Sequence, residues 1–375
     1  MTGLELYIHI PFCIRKCIYC DFLSFPADEA GKEAYIYSLL AQIRASGCKT
    51  PVTSVYLGGG TPSALPAGRI AEILEEIHQC FNIAGDAEIT IEANPGTLSE
   101  EALYTYRAAG INRLSMGVQS SHNSELRLLG RIHSWEDFVR NYRLARKAGF
   151  SNINTDLIFA LPGQSLDAWK ETLRRTAGLE PEHISAYSLI VEEGTLLERH
   201  LAEYPPLPDE DTEYLMYDET AAVLAESGYI QYEISNYARK GKESRHNTGY
   251  WTGEEYLGLG LGASSFMNGE RWKTTDSMEE YLRDSASPSR LRREIEKLTR
   301  RDAMAEYMFL GLRLLSGVSP AEFGKRFGVS MEQIYGDVIR RFTGLGLMEW
   351  KHGFLCLTRP GIHVSNRIFC EFLIV

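Results

Sequence analysis

Short runs of β-forming, largely apolar residues mark the first half of the chain, at positions 6–10, 52–57, 87–92, 113–118, 153–159 and 183–189. Between them lie stretches in which apolar positions return every three or four residues, at 67–81, 100–109, 135–148 and 166–179. The first period is that of a strand and the second that of an amphipathic helix. Strand and helix alternating at roughly thirty-residue spacing imply right-handed βαβ crossovers and a parallel sheet. Six such units predict an α/β protein built on an open, partial (β/α)6 barrel rather than a closed eight-stranded one.

The pattern then changes. Pro205, Pro206 and Pro208 precede a helical stretch at 211–227, and a Gly- and aromatic-rich region follows from 231 to 272. Beyond about 290 a helix is expected at 303–315, a helix pair at 319–327 and 331–345, and a two-stranded wing at 346–358. The predicted organisation is therefore a barrel over 1–230, an extension over 231–289 and a winged-helix-like domain over 290–375. Such a module binds DNA or serves for packing and docking. Charge bears on that choice: 39 Lys and Arg stand against 50 Asp and Glu, a net −11. An acidic surface repels phosphate backbones, which argues against nucleic acid and favours docking. The run 290–301, with six basic residues and two acidic, reads as a solvated helix face.

The first ten residues contain Glu5 and His9 and run into Pro11, unlike a signal peptide. No stretch approaches the ~18 apolar residues of a membrane span. The last four residues are apolar, but Cys370 lies too far from the end for a prenylation box. The expectation is a cytoplasmic protein without a membrane span.

Of seven cysteines, Cys13, Cys17 and Cys20 are clustered, while Cys48, Cys80, Cys356 and Cys370 are scattered. The uneven set argues against a disulfide framework and leaves the scattered four as free thiols. The C-x3-C-x2-C spacing allows one loop to give three thiolates to three irons of a [4Fe–4S] cluster, with the fourth iron open to a chelating ligand. The amino and carboxylate groups of S-adenosylmethionine (SAM) are such a chelate. The competing readings are a zinc site of three cysteines plus His9, and cysteines in a core.

Other polar residues fall at strand ends. Gly58-Gly59-Gly60-Thr61 follows the second strand, Glu92 ends the third, Gln119 closes the fourth and Asp156 lies in the fifth. Glycines allow close backbone approach to a ligand, and Glu92 is placed to accept from ribose hydroxyls. In parallel barrels such residues collect at one mouth, where sites form. The alternative is that each merely caps its strand.

With these motifs the chain resembles the radical SAM superfamily, and within it the branch of oxygen-independent coproporphyrinogen III dehydrogenases and HemW-type haem chaperones. The resemblance implies that Cys13, Cys17 and Cys20 ligate the cluster. It implies SAM contacts at Tyr7, Tyr19, Gly59, Gly60, Thr61 and Glu92. Gln119, Arg131 and Asp156 match positions that line a second SAM site in the dehydrogenase. That enzyme continues its third cysteine as Cys-x-Cys, whereas here the segment reads Cys20-Asp21-Phe22. Ser244-Arg-His246-Asn247-Thr-Gly-Tyr250-Trp251 matches the HNxxYW signature of the chaperones. Read from the residues alone, this is first a hydrogen-bonded histidine in an aromatic cluster that helps to shut the barrel; the resemblance implies instead a haem seat, an imidazole beside two large aromatics. The resemblance implies haem as cargo, apo-haemoproteins of the respiratory chain as recipients and, if SAM is cleaved, an electron donor to the cluster. The alternatives are the dehydrogenase itself, decarboxylating two propionates of coproporphyrinogen III, and a radical enzyme acting on another substrate.

Overall fold

The computed structural model describes residues 3–373, so the last two of the apolar C-terminal residues lie outside the described residues. Six strands, β1 (Leu4–Ile10), β2 (Pro51–Gly59), β3 (Asn82–Ala93), β4 (Arg113–Gln119), β5 (Ile153–Phe159) and β6 (His183–Ser188), pair in sequence order and all in parallel. The sheet does not close. Beyond β6 it continues antiparallel into β8 (Asn236–Ala238) and the two-residue β7 (Ile230–Gln231). Beyond β1 it takes β9 (Glu255–Leu259) in parallel, then β10 (Ser264–Met267), β11 (Glu270–Thr274) and β12 (Arg292–Lys297) in antiparallel.

Strand alternation sorts the two faces. On β1, Leu4, Leu6, Ile8 and Ile10 are fully buried and join the apolar core beneath the outer helices, whereas Glu5, Tyr7 and His9 face the barrel interior. The same parity turns Ser54 and Tyr56 on β2, Glu92 on β3, Ser115 on β4, Asp156 on β5 and Tyr187 on β6 inward. Outside, the helices Ala67–Cys80, Glu100–Ala108, Trp135–Lys147 and Leu166–Ala177 cover the sheet. Ser99, Ser134 and Ser165 cap the last three by accepting an N–H of the first turn. Trp169, fully buried, donates to Met216 O at 3.1 Å and Thr220 Oγ1 at 2.9 Å, tying its helix to Glu210–Glu226.

The chain stays in the sheet through Lys297, so the basic run 290–301 is not a helix face: its centre is β12, the outer strand of the sheet. Arg292, Arg293, Glu294, Glu296 and Lys297 are what an edge strand carries to discourage pairing with another chain. The C-terminal unit begins with the helix Arg300–Gly311, followed by Pro320–Phe327, Met331–Gly344 and a hairpin of β13 (Met348–Lys351) and β14 (Phe354–Leu357). Its own core holds Met308, Phe323, Tyr335, Leu355 and Phe372. No helix of the described residues is long and apolar enough to cross a membrane.

Candidate functional site

The cysteine loop leaves β1 and is closed at its neck by backbone bonds. Phe25 N–H donates to Pro11 O at 2.9 Å, Cys13 N–H to Phe25 O at 3.2 Å, and Thr61 N–H to Phe12 O at 2.8 Å. Phe12, 1% exposed, anchors the neck against Phe25 and Tyr35, ring centroids 5.9 and 5.2 Å away. The glycines after β2 are required here. A Cβ on Gly60 would stand 2.7 Å from Phe12 O, and Gly59 has φ +113° with the His9 ring 2.6 Å from where its Cβ would be. His9 is committed to this scaffold: Nε2 donates to Leu23 O at 2.9 Å and Nδ1 accepts from Tyr7 OH at 3.0 Å. It is therefore no fourth ligand of a zinc ion.

Cys13, Cys17 and Cys20 line one wall of a cavity of about 380 Å³ at the C-terminal mouth of the strands. Tyr19, Gly59, Gly60, Thr61, Glu92, Gln119, Arg131 and Asp156 line it too. Tyr56 OH donates to Glu92 Oε1 at 2.8 Å and Gly59 N–H to Oε2 at 3.1 Å. Burial raises the Glu92 carboxyl to about 7 despite those bonds. Each oxygen keeps a lone pair for a ligand hydroxyl. Arg131 donates from Nη2 to Gly117 O at 2.6 Å and from Nη1 to Cys17 Sγ at 3.4 Å, and so bridges β4 and the cysteine loop. Asp156 accepts from Ser115 Oγ at 3.0 Å and Asn154 Nδ2 at 2.8 Å, and burial raises its pKa. Behind it Asn154 Oδ1 accepts from His183 Nδ1 at 2.6 Å, and His183 Nε2 accepts from Tyr232 OH at 2.8 Å. This chain fixes the orientation of Asp156 from below.

Among the described residues, no three His, Cys, Asp or Glu side chains converge as the ligands of a single ion would. A mononuclear zinc site needs its donors about 2.3 Å from one point, whereas a cluster takes one thiolate per iron at separated corners. Three thiols lining one cavity, with a ligand-sized space beside them and His9 committed elsewhere, fit a cluster that takes one thiolate per iron.

Two sets of expected residues lie elsewhere. Tyr7 faces the barrel interior but does not line the cavity; it lies one inward position below His9, with the rings of Tyr56 and His246 6.3 and 6.4 Å away. The haem candidates are divided by helix geometry. The helix Arg245–Thr252 enters the barrel at the N-terminal end of β2 and β3, and positions i and i+4 place His246 and Tyr250 on its inner face. His246, 1% exposed, has both ring nitrogens engaged, Nδ1 with Ser54 Oγ at 2.8 Å and Nε2 with Tyr250 OH at 2.9 Å. Its ring stacks on Tyr56 at 5.0 Å, and burial depresses its pKa to about 3. In this structure it is a neutral plug with no nitrogen free for iron. Trp251 turns the other way, under the Arg313 guanidinium at 4.2 Å, and Asn247 is half-buried with its N–H on Ser244 Oγ at 3.4 Å. The four residues do not form one seat.

The cavity also contains Arg15, Ser115, Tyr187, Ile190 and Glu192, which the motifs did not mark. Ser115 was open to detection, because it shares the inward parity of Gln119 on β4.

An open parallel barrel with three loop thiols at its mouth defines a radical SAM protein. Residues 7–176 match the Radical SAM superfamily model and residues 298–364 the HemN C-terminal domain model. The heme chaperone HemW of Lactococcus lactis is 36% identical over 98% of this chain and 97% of its own length. That of Bacillus subtilis is 34% identical over 98% of each. The chain belongs to the HemW heme chaperone family. Coproporphyrinogen III oxidase (HemN) from Escherichia coli, 24% identical, superimposes with a TM-score of 0.87 over 99% of this chain and 90% of that one, which shows a shared fold.

Proposed function

We propose that this chain is a SAM-holding iron–sulfur protein that takes up haem and passes it to apo-haemoproteins, those of the respiratory chain first. The observation that carries this reading is similarity to heme chaperones over nearly the whole length of both chains. Phe22 supports it against the dehydrogenase: where that enzyme has a further thiol, an apolar ring 62% exposed stands on the cavity wall. Cys13, Cys17 and Cys20 would hold a [4Fe–4S] cluster. When bound, such a cluster offers an open iron to SAM and an electron to its C–S bond, for which an external electron donor is needed. The chain's own residues bind and orient. Glu92 accepts from hydroxyls of the nucleoside, the Gly59–Thr61 backbone lets the amino acid end approach, and Asp156 and Gln119 close the far wall.

The test is anaerobic reconstitution followed by haem titration and mixing with a purified apo-b-type cytochrome. The expected result is about four irons and four sulfides per chain, haem uptake by the wild type and transfer to the apoprotein. Conversion of coproporphyrinogen III to protoporphyrinogen IX at enzymatic rates would replace this reading with that of the dehydrogenase.

A further inference from the structure

We propose that haem lies across the open mouth of the cysteine cavity, its ring face on Phe22, Tyr187 and Ile190 and a propionate on Arg15; this rests on the haem-carrier reading above. Phe22 is 62%, Ile190 66% and Tyr187 39% exposed, and all three line the same cavity. Large apolar side chains exposed singly need no explanation. These come from two separate segments, Phe22 from the cysteine loop and Tyr187 and Ile190 from the end of β6 and the loop after it, and meet at one opening. Lys16 Nζ donates to Phe22 O at 2.8 Å and so holds the base of that ring in place.

Size and charge select the ligand. A space of about 380 Å³ is near the lower end for one small organic ligand, so a flat macrocycle larger than SAM has the rim rather than the interior. Asp21 and Glu192 stand on the same mouth and repel carboxylates. Arg15 is exposed and, among the described residues, in no ion pair, which makes it the cation a propionate can reach. The motif histidine offers no competing seat, because both nitrogens of His246 are bonded inside the barrel. A haem on the rim would also cover the SAM cavity, so the two ligands would sense one another.

The experiment is haemin titration, followed by Soret absorbance, of the reconstituted SAM-loaded protein. Phe22→Asp/Ile190→Asp is expected to weaken haem binding by at least roughly tenfold, and Arg15→Glu to weaken it less. His246→Gln should bind as wild type. Iron content checks that the cysteine loop has kept its shape. If the double variant loses iron, Ile190→Asp alone, far in sequence from the cysteines, carries the test and should still weaken haem several-fold. Wild-type affinity in whichever of these keeps its iron overturns the rim seat, as does loss of binding in His246→Gln alone. A wild type that takes up no haem overturns the carrier reading itself, a distinguishable outcome.

Discussion

Glu92 and His246 are both buried titratable groups whose neighbours set their charge, in opposite senses. Burial raises Glu92 to about 7, above the 4.5 of a free glutamate, so near neutral pH the carboxyl is poised between its two forms. If its anion accepts from SAM hydroxyls, SAM affinity should fall as pH drops through about 7. Glu92→Ala should remove a charge-assisted bond of about 1.5–3 kcal/mol, roughly tenfold to a hundredfold in affinity. Calorimetry across pH 6–8 checks both, and an unchanged affinity in the variant would take Glu92 out of the SAM site. His246 falls from 6.5 to about 3 by burial. Between those values the unfolded chain holds a proton that the folded chain does not, so stability rises with pH across that window and is lost as pH falls below about 6.5. The slope from one such histidine is about 1.4 kcal/mol per pH unit. His246→Gln should flatten the acid limb of urea-denaturation midpoints measured from pH 7 to pH 4.5 relative to wild type.

At the scale of elements, the cysteine loop depends on the turn after β2, because Gly60 packs where any Cβ would meet the Phe12 carbonyl at 2.7 Å. Gly60→Ala must therefore push the loop neck outward. After reconstitution it should hold less iron than wild type while the outer helices stay folded by circular dichroism, as should Cys17→Ala, whereas Cys80→Ala, at the end of an outer helix, should keep its iron. Full iron in Gly60→Ala would show that the neck yields without cost. The six parallel strands were legible because each alternates apolar and polar faces, and the same parity exposes the inward positions of the site. Depth was not legible. Tyr7 has the right parity but the wrong level, and nothing local in residues 245–252 says that this helix fills the barrel floor beside Ser54, 192 residues before His246, and Glu5, earlier still. The charged run around β12 misled for a related reason: edge strands and solvated helix faces carry the same residues, and pairing with β11 alone tells them apart.

The whole molecule is joined where the C-terminal unit meets the last strands of the sheet, and two kinds of ion pair meet there. Asp218 accepts from Arg359 Nε at 2.5 Å and lies 3.2 Å from His363 Nε2, with the arginine and aspartate each about a third exposed. Solvent screens such a pair, so the ion pair's share of the cost of Arg359→Ala should be no more than about 1 kcal/mol. Glu233, between β7 and β8, is fully buried; Ser235 N–H and Asn236 Nδ2 donate to Oε1 at 2.7 and 2.6 Å, while Oε2 has no hydrogen-bond partner. Its counter-charge is Arg313, 3.7 Å away, which follows the first C-terminal helix and also covers Trp251. Removing Arg313 leaves a buried carboxylate uncompensated, which costs about 3–5 kcal/mol where it has been measured in other proteins. Arg313→Met should therefore lower the urea midpoint several times more than Arg359→Ala does. The cause is distinguishable from lost packing over Trp251, because Glu233→Gln removes the stranded charge. In the Glu233→Gln background, Arg313→Met should cost much less than it does alone, a double-mutant cycle with a favourable coupling. If the two Arg313→Met costs are equal, the arginine acts as a cover for the indole and the junction is held by apolar packing.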